Sequence, residues 1–571
     1  MMRYQFAAVL GLAALAISAC APSPPVPQSP GSGAIPARPE RTLVAAVRVE
    51  PESLALRPVL AGLFASFTLV RRFFNADLVV IDDRGNPRPY LMEVLPSLNT
   101  DSWRVLPDGQ METTWRFRPN IVWQDGTPFS AEDVVFAWHV YATPEFASGQ
   151  TIRAIADVTA PDDRTMVIRW RQPYPNANSL VGNEGLPPLP RHLLEQAFQQ
   201  ADPTAFAQNP FWTRGYVGLG PYRMGRWEQG SFFEGAAFPQ HVLGAPAINR
   251  IKVLFIGDAN TALSYLLAGE LDLGADSAIG PEQGVTLNTE WERTRAGFIV
   301  LVPSNWQATA FQLRPELANP HGILDVRVRK ALAHTLDKQA LSDGVYHGQI
   351  AVSEFMISPL SRWGPAFQNA VLTYPYDLRR SEQLMNEAGY AKGPDGAFNS
   401  PSEGRFKSEL KTSDSPDWVA EMTIMANDWR KAGFDIVDAV LPAALSNDPA
   451  SRVTFPGMFT SITSQGEGTL NNYTMAQIPR AENNWRGGNN RGGWASPDYD
   501  RVLQGFTATL EPSARSAQLA ELARIFTDDL PMISLLFQGN PYAHIAALHG
   551  PAVTAPESAV AWNVHEWSWA D

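Results

Sequence analysis

WRFRPNIVWQDGTPFSAEDVVFAWHVYA, residues 115–142, carries the pattern on which the fold turns. It opens as a β-strand, reverses at Asp125-Gly126 and continues as a helix. Glycine after aspartate favours a tight turn, because glycine enters positive-φ backbone at little steric cost. Ser130 stands as N-cap with Asp133 three residues on, a variant of the capping box, and Glu132 and Asp133 suit the positive end of the helix dipole. Val134, Val135, Trp138 and Tyr141 predict the buried face.

Similar units recur along the chain. TLVAAVRVEP, residues 42–51, alternates like a first strand, and GLGPYRMGRWEQG, residues 218–230, reads as a turn followed by a strand. Asp258 caps ANTALSYLLAG, which ends at Gly269, and Asp325 caps ILDVRVRKALAHTLDKQAL, residues 323–341, with Val328, Leu332 and Leu336 as its stripe. Asp377 starts a helix that ends at Gly389, and Trp418, Met422, Met425 and Trp429 stripe another that ends at Gly433. Strands and helices alternating throughout predict an α/β protein of more than one lobe.

Five of these stretches, in this order, resemble the family 5 extracellular solute-binding proteins, the oligopeptide- and dipeptide-binding group of ABC importer receptors. The matching segments are Trp123 to Trp138 (an aromatic, D-G, A-E-D-V, then an aromatic helix), Gly218 to Tyr222, Asp258 to Asp272, Asp325 to Asp337 and Glu387 to Tyr390. The resemblance implies an α/β, two-lobed periplasmic-binding-protein-like clamp of type II, with an extra domain inserted in the first lobe. The first lobe is then expected from residues 41–75, 215–265 and 521–571, the inserted domain from 76–214, and the second lobe from 266–520. Two connecting strands would act as a hinge, with ligand favouring the closed state. By the same resemblance the chain is a monomeric receptor and not an enzyme. It would capture a solute, a peptide foremost, and deliver it to ABC permease subunits. The alternatives are a lipoprotein enzyme or a sensory or assembly factor on the same fold, or a receptor for an oligosaccharide or metal chelate.

The amino terminus fits an extracytoplasmic receptor. Arg3 and the apolar run Ala7 to Ile17 read as a secretory signal, too short to span a bilayer comfortably. Cys20, the single cysteine, follows Ile17-Ser18-Ala19, a stretch resembling the lipobox of bacterial lipoproteins, and is the expected lipidation site. Residues 1–20 are thus a lipoprotein signal peptide, and 21–40, rich in Pro, Ser and Gly, a disordered tether. The expected location is the periplasm or the outer face of the cell membrane, anchored through lipid.

Composition bounds the chemistry. The formal charge of −13 argues against nucleic-acid binding or a basic membrane-coating face. The nine histidines show no metal-like clustering, and no P-loop, G-x-G-x-x-G or G-x-S-x-G is present, so no metal, cofactor or nucleophile is nominated. Peptide-binding relatives carry a late second-lobe aspartate that pairs with the peptide α-amino group. The corresponding stretch here, residues 455–494, holds no aspartate, and Glu467 is the expected substitute. Within it NNWRGGNNRGGW, residues 483–494, lacks helical or strand period. Its glycines suit close approach to a ligand, Trp485 and Trp494 suit stacking, Arg491 suits a carboxylate, and Asn483 and Asn484 offer donors and acceptors. Phe537 and Tyr542 are placed at the same cleft by alignment with the family's late strand.

Overall fold

The computed structural model describes residues 41–57, 68–146, 149–182, 185–539 and 541–570. Cys20, the signal peptide and the tether lie outside the described residues. The strand Met111–Arg116, with alternate residues buried, reaches into the opening stretch only at Trp115 and Arg116. Residues 117–130 form turns and isolated bridges instead of the expected strand, Gly126 has φ 91° and Ala131–Tyr141 is a helix. The buried Asp133 carboxylate accepts from the Ser130 backbone N–H at 3.0 Å and from Trp123 Nε1 at 3.2 Å. The helix is enclosed on more sides than the predicted stripe. Phe136, Ala137 and Val140 are buried, whereas Val135 and Trp138 are half-buried.

Two large sheets organise the chain. The first has seven strands, in the order Gly297–Leu301, Pro541–Ile545, Leu273–Gly274, Leu43–Val47, Arg250–Phe255, Phe232–Ala237 and Tyr222–Glu228. Leu43–Val47 runs parallel to both of its neighbours, and the remaining pairs are antiparallel. The second has six strands, in the order Ala351–Val352, Met532–Gln538, Asn305–Phe311, Met458–Ser464, Lys407–Ser413 and Asp435–Leu441. The central strands of each sheet are covered on both faces. In the second, Trp306, Ala308 and Ala310 pack into one core while Phe311, Leu410 and Leu535 pack into another. A central strand covered on both faces reads as a near-continuous apolar run, as MISLLFQ does with Ser534 its single internal polar residue.

A four-stranded sheet, Trp103–Val105, Met111–Arg116, Thr165–Trp170 and Ile155–Asp162, forms the centre of the inserted region. It shares one core with the first sheet: Trp115, Trp170, Phe73, Tyr222 and Trp567 belong to the same buried cluster. Among the described residues no helix is long and apolar enough to cross a membrane.

The chain passes between the large sheets at Leu301–Asn305 and again at Gln538–Pro541. The two passages touch: the Ser304 N–H donates to the Gln538 carbonyl at 3.0 Å, and a Cβ on Gly539 would stand 1.8 Å from the Val302 carbonyl oxygen. These crossings correct the expected boundaries. Leu273–Gly274 and Gly297–Leu301, assigned by sequence to the second lobe, pair in the first sheet. Met532–Gln538, assigned to the first lobe, pairs with Asn305–Phe311 in the second sheet. The helix expected over 323–341 is also two helices, Val326–Ala333 and Lys338–Tyr346. Asp337 caps the second, its side chain accepting from the Ala340 N–H; a residue placed to cap ends one helix by starting the next.

Candidate ligand site

A cavity of about 700 Å³ opens between the inserted region and the second lobe. Leu98, Trp103, Asn176 and Asn178 line one side, and Arg362, Trp363 and Arg515 the other. Its size falls within the range that takes a small organic ligand. Asn176 lies in the Pro-Asn turn that follows Thr165–Trp170, and Arg515 lies in the first turn of the helix Pro512–Asp529.

Glu467 sits behind this wall, at the start of a short 3-10 segment that follows the strand Met458–Ser464. Its Oε1 accepts from Arg515 Nη2 at 2.5 Å and from Asn176 Nδ2 at 3.1 Å. Its Oε2 accepts from Trp363 Nε1 at 3.0 Å, with Arg362 Nη2 at 3.6 Å. One carboxylate therefore gathers donors from both sides of the cavity. Arg515 also donates to the Phe506 carbonyl at 3.3 Å, and its guanidinium carbon lies 5.0 Å from the Trp363 ring centroid. Burial pushes the Arg515 guanidinium below its usual value, and Glu467 opposes that shift. The Arg362 guanidinium carbon lies 5.1 Å from the same ring, so Trp363 is flanked by two cations.

A second buried polar group lies beside the chain crossings. Glu421, on the helix Pro416–Ala432, is 0% exposed and accepts from Tyr346 Oη at 2.5 Å and from Gln307 Nε2. Gln538 Nε2 donates to Gln307 Oε1 at 3.0 Å and to Tyr346 Oη at 2.9 Å. Burial pushes the Glu421 carboxyl up to about 7.

Of the site residues proposed from sequence, Glu467 adjoins the cavity through its partners, and the others are placed elsewhere. Trp494 is 5% exposed, packs edge-on against Tyr499 and Phe526, and donates from Nε1 to Asp529 at 3.2 Å. Phe537 is 2% exposed in the second sheet. Arg491 is buried beside Phe459 and donates to Asn489 Oδ1 at 3.2 Å; burial brings its guanidinium down to about 10. Asn483 accepts from the Arg480 N–H at 2.9 Å. Asn484 and Trp485 hold left-handed backbone, φ 54° and 57°, and Trp485 lies 5.9 Å from the Arg314 guanidinium carbon. Tyr542 is half-buried against the first core.

The glycines of this loop admit protein rather than ligand. A Cβ on Gly492 would lie 2.0 Å from the Phe311 carbonyl oxygen, and one on Gly487 would lie 2.7 Å from that of Gln477. Sequence reasoning did not single out the cavity-lining residues Asn176, Arg362, Trp363 and Arg515. The Pro-Asn composition of PYPNANS, residues 173–179, marks a turn, but nothing in SRWGP or PSARS distinguishes a cavity wall from a solvated surface. Among the described residues, no group of three or more His, Cys, Asp or Glu is placed to hold a metal.

The chain is 24% identical over 340 residues to a putative ABC transporter peptide-binding protein of Brucella ovis, covering 57% of this chain and 56% of the relative's length. It is 23% identical over 517 residues to the probable deoxycholate-binding periplasmic protein YgiS of Escherichia coli, covering 83% and 85%. In structure it is similar to the oligopeptide-binding protein from Thermus thermophilus complexed with a pentapeptide, with TM-score 0.64, 22% identity, and 93% and 96% of the chains covered. The family profile described as bacterial extracellular solute-binding proteins, family 5 Middle, matches residues 93–478, more than half of the sequence. With that match on two sheets joined by two crossings, the chain belongs to the bacterial extracellular solute-binding proteins of family 5.

Proposed function

We propose that this protein is the extracytoplasmic receptor of an ABC importer, which captures a solute, a peptide foremost, and hands it to membrane permease subunits. The observation that carries this reading is the cavity of about 700 Å³ walled from two sides by parts of a family 5 fold. Its ligand residues are Asn176, Arg362, Trp363 and Arg515, with Glu467 holding them in place. The relative named as peptide-binding supports the peptide, and the one named as deoxycholate-binding supports a second reading, a non-peptide acid. The binding-protein names of the family and its relatives support capture without catalysis.

Cys20 carries the lipid anchor in this reading, beside the transporter, and Cys20→Ser should release the protein from membranes or leave its signal uncleaved. Native mass spectrometry after equilibration with a tryptic digest of casein tests the capture. Retained, unaltered peptides are expected. Conversion of bound peptides into shorter products would instead make it an enzyme.

A further inference from the structure

We infer that the cavity selects ligands that present a carboxylate or similar anionic group to Arg362, and that it does not recognise a free amine through Glu467. This rests on the reading that the cavity is the ligand site. Both oxygens of Glu467 are already occupied, Oε1 by Arg515 and Asn176 and Oε2 by Trp363. An incoming ammonium would have to displace a guanidinium held at 2.5 Å whose side chain is only 6% exposed. Stripping a buried charge of its partner costs more than one new contact at the cavity rim returns.

Arg362 is in the opposite condition. It makes no hydrogen bond among the described residues, and its nearest acid oxygen, on Glu467, stands 3.6 Å away. Its side chain keeps 26% exposure and borders the cavity. The other acid close by, Glu557, accepts from Ser361 and forms no ion pair with Arg362. Two arginines and no aspartate or glutamate line the cavity, and its remaining polar lining is asparagine and serine. An ammonium entering there meets the Arg362 cation and finds the nearby carboxylate already paired with Arg515. A carboxylate meets a guanidinium with free donors in a fixed fork, the geometry that binds carboxylates in two-pronged fashion. Trp103, Trp363 and the prolines supply apolar surface, so the preferred ligand is an acid with an apolar body.

Calorimetry on the full chain with two matched probe sets tests this. One set is the tripeptide Ala-Phe-Ala as free acid, as N-acetyl derivative and as C-terminal amide. The other is 3-phenylpropionate, its amide and 3-phenylpropylamine. Acetylation should leave affinity nearly unchanged, whereas amidation should weaken it by at least about tenfold, the effect of one charge-assisted contact. Arg362→Gln should erase the preference for acids, and Arg362→Lys should retain part of it. Binding of phenylpropionate without any peptide would support the inference and remove the peptide reading. Peptide binding that survives amidation but not acetylation would overturn the inference while leaving the receptor reading intact. Failure of every acid in both sets would overturn it as well.

Discussion

Glu467 shows how far a single carboxylate reaches: it ties Asn176 of the inserted region to Trp363 and Arg515 of the second lobe. Removing Arg515 leaves that acid short of its strongest partner while it is only 21% exposed. Arg515→Ala should therefore destabilise the fold by about 2–4 kcal/mol, somewhat below a fully buried pair, measured by urea unfolding. A loss below about 0.5 kcal/mol, the scale of exposed pairs, would mean that the cluster contributes nothing. Glu421 makes a different claim. Its folded pKa of about 7 lies above the ordinary value of 4.5, so between those pH values the folded state keeps a proton that the unfolded chain releases. Stability from this group is fully present below about pH 4.5 and is lost as pH rises through 7, by up to about 3 kcal/mol. Glu421→Gln should remove that slope. Subtracting variant from wild type cancels other groups such as buried His241, whose pKa is lowered to about 3 and whose contribution has the opposite sign. Parallel stability profiles for the two proteins between pH 5 and 7.5 would contradict the assignment.

The loop 483–494 and the crossing at Gly539 are elements whose backbone leaves no room for a side chain. Gly539→Ala puts a Cβ 1.8 Å from the Val302 carbonyl, so one of the two passages between the sheets has to shift. The expected cost is on the order of 1–3 kcal/mol, as for other overpacked sites, read as a lowered urea midpoint at unchanged m-value. Wild-type stability in this variant would show that the crossings are loosely packed. Where local chemistry decides, the sequence is readable: Asp258, Asp325 and Asp377 cap the helices that their positions announce, and Gly269 and Gly433 end theirs with left-handed backbone. Lobe boundaries were not readable in this way. Leu273–Gly274 is two residues long, and GFIVL at 297–301 has no alternation, so sheet membership there is fixed by distant partners. The same holds for the site. RGGNNRGGW looks like a ligand loop because glycine, asparagine and tryptophan serve both close packing and binding. The protein atoms packed against its glycines, such as the Phe311 carbonyl beside Gly492 and the Gln477 carbonyl beside Gly487, come from residues distant in sequence or outside the motif. Arg362 and Arg515 are far apart in sequence and meet only through the fold.

The whole molecule places a shared core under the first sheet and inserted region, separate cores under the second sheet, and a cavity where the inserted region faces the second lobe. Two chain crossings in contact with each other make a narrow connection, the arrangement from which hinge closure is built. A ligand held in that cavity shields backbone on both sides of it together. Hydrogen–deuterium exchange of the full chain, with and without a tryptic digest of casein, reads this directly. Protection is expected at 175–178 on the inserted region and, in the same experiment, at 361–366, 467–473 and 512–516 on the second lobe. Protection confined to 483–494, or to one side of the cavity alone, would contradict capture between the two.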